Sequence, residues 1–162
     1  MKYYFVNIIL RILPSSRFFR LKRLLLTYIG ATIGENVRVM RIKVEGVKLR
    51  IGENTFIGDE TLITGGDSIV SIGSNCDISS RVSIVTGTHK IGDKEKAAGE
   101  GYSEDIIIED GVWIGFGAII LHGVTIGKGS IIGAGAVVNS NIPSGVLAIG
   151  IPAKIKKHLN PI

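Results

Sequence analysis

Between Ile108 and Pro143 an aliphatic residue returns at every sixth position, at Ile114, Ile120, Ile126, Ile132 and Val138. Glycine follows it at Gly115, Gly127 and Gly133. A small or β-branched residue stands four places after each repeat start, at Val112, Ala118, Val124, Ser130 and Ala136. No α-helix holds a face at period six, and a paired strand alternates at period two. A short turn-and-strand unit of fixed length, stacked on itself, does hold it, and that is a solenoid signature.

The same phase opens at Ile33, continues at Val39, blurs at Glu45-Gly46-Val47 and returns at Ile51, Ile57 and Ile63. Three extra residues in Gly65-Gly66-Asp67-Ser68 shift it, and it resumes at Ile72, Ile78 and Ile84. Of fourteen repeat starts from 33 to 138, twelve are Ile and two are Val, which rules out accident. Stacked in register, they form aliphatic ladders with parallel strands about 4.8 Å apart. The glycines beside them are expected to turn the chain with φ > 0. The period stops at Lys90 for sixteen residues, KIGDKEKAAGEGYSED. Ile84 to Ile108 spans 24 residues, or four hexads, so this loop 90–105 leaves the wall and returns in phase. A polar excursion of that length in so economical a chain is a functional loop. His89 stands at its root.

Residues 1–30 follow another rule. The apolar run Tyr3 to Leu10, broken by Asn7 and stopped by Arg11, is far short of the roughly 20 residues a spanning helix needs. No small-residue cleavage site follows it, as a signal peptide would require. After Pro14, Ser15 or Ser16 is placed to cap a helix that Gly30 ends. Phe18, Leu21, Leu25 and Tyr28 would form one face, with Arg17, Arg20, Arg23 and Thr27 on another. Such a helix can cover the open end of the solenoid, or lie on an anionic membrane surface where lipid-linked substrates reside. The two readings are compatible.

Charge sharpens this division. The net +5 resides in residues 1–30, where Lys2, Arg11, Arg17, Arg20, Lys22 and Arg23 face no acidic residue; the rest has 13 basic against 14 acidic residues. The body therefore offers no nucleic-acid groove. The chain of 162 residues suits one domain: a helical segment 1–30, a repeat body 31–157 and a tail 158–162. A single cysteine excludes an internal disulfide and points to a reducing cytoplasm.

Four motifs in this order carry a family resemblance: the Ile-Gly-x-x-small repeat, Thr86-Gly87-Thr88-His89 before the excursion, Gly111-Val112-Trp113-Ile114-Gly115 after it, and Ala148-Ile149-Gly150-Ile151-Pro152-Ala153-Lys154. Over residues 33 to 157 the chain resembles the hexapeptide-repeat acyltransferases, above all the O-acetyltransferases of galactosides, maltose and surface polysaccharides. The resemblance implies an all-β fold, a left-handed parallel β-helix of three hexads per coil. It further implies a homotrimer with sites between subunits, acetyl-CoA as co-substrate, a sugar or glycan acceptor and no metal. The activity it implies is sugar O-acetylation in surface polysaccharide or lipopolysaccharide synthesis, in the cytoplasm or on the inner membrane face.

His89 matches the family's catalytic base. A sugar hydroxyl is a poor nucleophile, and an imidazole titrating near neutrality can take its proton. The resemblance puts Trp113 against the pantetheine arm and Phe116, Ala134, Asn139 and Ser140 along the cofactor groove. Lys154 and Lys157 would meet the CoA phosphates as point charges where the family often has Arg. Asp67 falls where galactoside enzymes have a sugar-contacting Asp. Cys76 occupies a small interior slot of its hexad and reads as core. Leu121-His122-Gly123 resembles the zinc-binding β-helical carbonic anhydrases, and that resemblance implies a second ligand five residues earlier, where this chain has Gly117. Serine O-acetylation, amino-sugar N-acylation and a non-catalytic β-helical scaffold are the competing readings. Serine acetyltransferases usually carry a long helical domain before the repeats, which thirty residues cannot supply.

Overall fold

The computed structural model describes residues 1–159. Two helices, α1 (Lys2–Ile12) and α2 (Phe19–Tyr28), precede a chain that visits three parallel sheets in rotation. The first circuit comprises β1 (Thr32–Ile33), β2 (Arg38–Val39) and β3 (Ile42–Glu45). The second adds β4 (Lys48–Ile51), β5 (Phe56–Ile57) and β6 (Thr61–Thr64), and the third β7 (Ile69–Ile72), β8 (Asp77–Ile78) and β9 (Ser83–Val85). The loop at 90–105 is a hairpin of β10 (Gly87–Ile91) and β11 (Ala98–Ser103). The fourth circuit is β12 (Ile106–Ile108), β13 (Trp113–Ile114) and β14 (Ile119–Leu121); the fifth is β15 (Thr125–Ile126), β16 (Ile131–Ile132) and β17 (Val137–Val138). β18 (Val146–Ile149) and β19 (Lys154–His158) follow.

Sheet A stacks β1, β4, β7, β12 and β15; sheet C stacks β3, β6, β9, β14 and β17. Sheet B runs β2, β5, β8, β13, β16, β18, β19, and only its last pair is antiparallel. The register turns the six-residue period into columns. Ile108 pairs with Ile72 and Ile126, Ile114 with Ile78 and Ile132, and Ile120 with Ile84 and Val138. All nine are at most 2% exposed. Fully burying one such side chain is worth about 1.5–3 kcal/mol relative to leaving it in water. Val112, Ala118, Val124, Ser130 and Ala136 are buried beside them. Ser130 is tolerated there because its Oγ donates to the Pro143 carbonyl at 2.7 Å.

The glycines after the aliphatic residues work otherwise than expected. Positive φ falls two places further on, at Asn54, Asn75, Gly117 and Gly135. Gly115 is required by space, since a Cβ there would lie 2.6 Å from the Ala134 nitrogen of the next circuit. Close stacking of turns, not turn conformation, selects it.

The N-terminal segment also departs from expectation. The apolar run forms a helix of its own, α1, which buries Val6 and Leu10. Neither Ser15 nor Ser16 caps α2, which begins at Phe19 after Phe18 in the left-handed region. Lys22 explains the late start: it is fully buried, and its Nζ donates to the Pro14 and Ser15 carbonyls at 3.0 and 2.6 Å. These bonds hold the linker in a turn over the first residues of α2. Burial lowers the Lys22 pKa, and the Asp59 carboxylate opposes that shift. With Lys22 and Leu26 turned inward, Phe18, Leu21 and Tyr28 stay exposed. Of the face expected to pack, Leu25 alone meets the core and the other three residues point outward.

Capping of the open end falls to both helices. α2 packs against β1 and β2, while α1 covers β3, the edge strand of sheet C. The Asn7 amide donates to the Val44 carbonyl at 2.9 Å, and the Val44 N–H donates back to Asn7 Oδ1 at 3.1 Å. One side chain thus serves both backbone groups that an edge strand leaves open. Among the described residues no helix is long and apolar enough to cross a membrane. Of the tail 158–162, His158 ends β19, and residues 160–162 lie outside the described residues.

Candidate active site

The hairpin β10–β11 leaves the wall at the corner where sheet C passes to sheet A, between β9 and β12. It pairs Gly87 with Ser103, Thr88 with Tyr102 and His89 with Gly101, with an irregularity beyond His89. His89 Nδ1 lies 3.0 Å from the Gly99 carbonyl oxygen. A carbonyl oxygen only accepts, so Nδ1 holds the proton and Nε2 keeps its lone pair. The ring is exposed beside an open depression of about 460 Å³ shared with Asp67, Tyr102, Ser103 and Gly66. The structure thus brings His89 and Asp67 together. Asp67 is 92% exposed and pairs with Lys48 at 3.3 Å, so water screens its charge.

The foot of the hairpin is pinned by polar bonds. Ser68 Oγ donates to Ser103 Oγ at 2.7 Å, the Glu104 N–H donates to the Thr86 carbonyl at 3.1 Å, and the Ile69 N–H donates to Asp105 Oδ1 at 2.8 Å. At its head, Lys90 pairs with Glu100 at 2.6 Å.

The residues expected along the cofactor divide into two sets. On the outer face of sheet B, Trp113 stands in a row with Ile131, Leu147 and Lys157. Trp113 is 51% exposed. Phe116, at the corner from sheet B to sheet C, carries the Arg81 guanidinium 5.7 Å from its ring centroid. Ala134 is exposed one circuit above, and Lys154 pairs with Ile149 beside that corner. A register shift in the β18–β19 pair leaves Lys156 without a partner between Ile155 and Lys157. Asn139 and Ser140 lie elsewhere, exposed at the C-to-A corner on the same edge as His89. Trp113 and His89 therefore stand on different sides of one chain's wall, with sheets A and C between them around the circuit.

Cys76 and His122 lie outside this arrangement. Cys76 is 2% exposed, its Sγ–H points to the Glu109 carbonyl at 3.1 Å, and burial pushes its thiol pKa up. It is a core residue. His122 bonds Glu104, and among the described residues no group of three or more His, Cys, Asp or Glu stands together to hold a metal. Tyr102 and Ser103 line the site without having been singled out in sequence. Their membership follows from hairpin pairing, which the sixteen-residue gap in the period does not encode.

Two family models match the repeat body. The bacterial transferase hexapeptide (six repeats) covers residues 105–140, and the hexapeptide repeat of succinyl-transferase covers 48–84. The repeat body is therefore a hexapeptide-repeat sequence over these two stretches. A galactoside O-acetyltransferase of Escherichia coli is 36% identical over 132 residues, covering 80% of this chain and 64% of that one. A hexapeptide-repeat acetyltransferase from Vibrio cholerae, solved with acetyl coenzyme A, superposes with a TM-score of 0.81 at 26% identity, covering 99% of this chain and 86% of that one. The polysialic-acid-specific acetyltransferase NeuO gives a TM-score of 0.71 at 33% identity, over 79% of this chain and 61% of that one. The chain spans less than two thirds of the length of the first curated relatives it matches.

Proposed function

We propose that this chain is an acetyl-CoA-dependent O-acetyltransferase acting on a sugar hydroxyl of a glycan. The observation that carries it is His89, whose Nδ1 is committed to the Gly99 carbonyl while Nε2 remains free beside a polar depression. Nε2 takes the hydroxyl proton as the oxygen attacks the thioester carbonyl. The tetrahedral intermediate collapses with loss of the C–S bond, and the same Nε2–H returns the proton to the thiolate. Acetyl-CoA and a glycan acceptor are supported by the acetyl-CoA complex of the Vibrio structure and by the galactoside and polysialic-acid enzymes among the relatives. Asp67 then contacts the acceptor, Trp113 and Phe116 line the cofactor with Ala134, Asn139 and Ser140, and Lys154 and Lys157 meet its phosphates.

The assembly is a homotrimer of left-handed parallel β-helices, working in surface polysaccharide synthesis. The division of candidate residues between two sides of the wall supports it, because a second copy can bring its Trp113 face to the His89 edge of the first. The exposed Tyr4, Phe5 and Ile12 of α1 and Leu24 and Tyr28 of α2, together with the exposed Arg17 and Arg20 of the same segment, support a peripheral hold on an anionic membrane. The decisive experiment is acetyl transfer from acetyl-CoA to a panel of oligosaccharides, amino sugars and serine, with sedimentation in parallel. Transfer to sugar hydroxyls by a trimer is expected. Transfer only to an amine or to serine overturns the acceptor class, and full activity in a monomer overturns the shared site.

A further inference from the structure

His122 occupies the C-to-A corner of the circuit directly above the hairpin. Its Nδ1 lies 2.8 Å from Glu104 Oε2, a carboxylate oxygen that can only accept, and its ring meets Tyr102 edge-on at 5.8 Å between centroids. Glu104 also lies flat on the next residue of the corner, since a Cβ at Gly123 would fall 2.5 Å from Oε2. One turn of the fourth circuit therefore grips Tyr102 near the end of β11 and Glu104 just beyond it.

That strand sets the environment of His89. Gly101 is the register partner of His89, Gly99 supplies the carbonyl that fixes its Nδ1 proton, and Tyr102 lines the depression next to it. The hairpin has little burial to hold it in place, because β10 and β11 are exposed or half-exposed along their whole length. Ser68, Ile69 and Thr86 tie its foot from below, the Ile69 N–H through Asp105, and His122 ties it from the circuit above.

We infer that His122, clasping Glu104 and Tyr102, is a positioning residue that holds β11 in the register at which Gly99 fixes the tautomer of His89. The inference rests on His89 as the general base for its effect on rate, but not for its effect on the imidazole. Loosening a reacting group by about 1 Å costs on the order of 10²-fold in rate. Losing one of several ties should therefore lower kcat by about 10- to 100-fold.

The test uses the full chain with His122→Ala, His122→Asn and Glu104→Ala. The Asn side chain keeps an N–H at the place of Nδ1, so it should recover most of what His122→Ala loses. The reduction should fall on kcat, with the KM for acetyl-CoA within about twofold of the original, since the Trp113 face is remote. The ¹⁵N shifts of the His89 ring should report one Nδ1–H tautomer in the unaltered protein and a mixture in His122→Ala. An unchanged His89 ring in His122→Ala overturns the inference whatever the rates do. A tautomer mixture with unaltered kcat sustains the positioning role and overturns the proposal that His89 is the base. Should His122→Ala fail to fold, Glu104→Ala takes its place: a mixture of His89 tautomers there with a single one in His122→Asn is the expected result, and a single tautomer in both overturns the inference.

Discussion

His89 faces Gly101 across the hairpin, yet its Nδ1 bonds the carbonyl of Gly99, two residues along the same strand, at 3.0 Å. The ring leans along the strand, and its orientation depends on a backbone group. His89→Asn separates orientation from chemistry, because the introduced amide can still donate to Gly99 but has no base. Turnover should fall by about 10²–10⁴-fold with the fold retained, the usual worth of a positioned proton acceptor. Wild-type turnover in this variant on a confirmed acceptor would refute the mechanism.

Trp113→Ala should act on the other side of the wall. Its indole stands half-exposed over Ile131 in the row that leads to Lys157. The KM for acetyl-CoA should rise by about tenfold with kcat little changed, the mark of lost binding common to ground and transition states. Equal loss in kcat would assign the indole to the chemical step instead.

Membrane binding should depend on Arg17 and Arg20 and be indifferent to Lys22, which is buried. Each exposed basic residue near an anionic surface is worth about 1 kcal/mol. Arg17→Glu with Arg20→Glu should therefore reduce partition onto phosphatidylglycerol vesicles at least about tenfold at low salt, with the difference shrinking as salt rises. Partition equal to that of the unaltered protein would remove the membrane role.

Asn7→Leu keeps bulk and removes both bonds to Val44. The open edge of sheet C would then present an unpaired N–H and C=O beneath α1, at a cost of about 1–3 kcal/mol. Denaturant melts should show this loss, and a variant as stable as the original would mean that water replaces the amide without penalty.

Arg41 sets a dependence on pH. Its hydrogen bonds to Asp59 hold that carboxyl below its usual value, against the opposing effect of burial. A depressed folded-state pKa gives stability that is present above the unfolded value, about 3.9, and is lost as pH falls through the folded one. Arg41→Gln should thus cost more stability at pH 7 than at pH 3 in urea melts. A difference independent of pH would show that the pair contributes by packing alone.

The buried columns were legible in the sequence because a solenoid gives every circuit the same surroundings. Ile114 and Ile132 meet the same neighbours, so the same residue returns. What did not repeat could not be read that way. Lys22 looked like a surface charge at helical spacing, and only the carbonyls of Pro14 and Ser15, brought back by the linker, make its burial possible. The glycine at 115 looked like a turn glycine, while the constraint comes from the circuit above it. His89 stood out by its place before the excursion. Glu104 and His122 meet because the excursion returns in phase and stacks one corner on the other, a contact 18 residues apart that neither local spacing nor charge announces.

Both surplus lengths in the repeat, the three residues near Gly66 and the excursion after His89, enter at the corner from sheet C to sheet A. The other two corners keep the hexad count from Ile51 to Val138. Variation has a single port of entry, and the columns of isoleucine do not register what passes through it. A lineage could exchange one hairpin for another there, altering what the depression beside His89 admits, while inheriting its core unchanged.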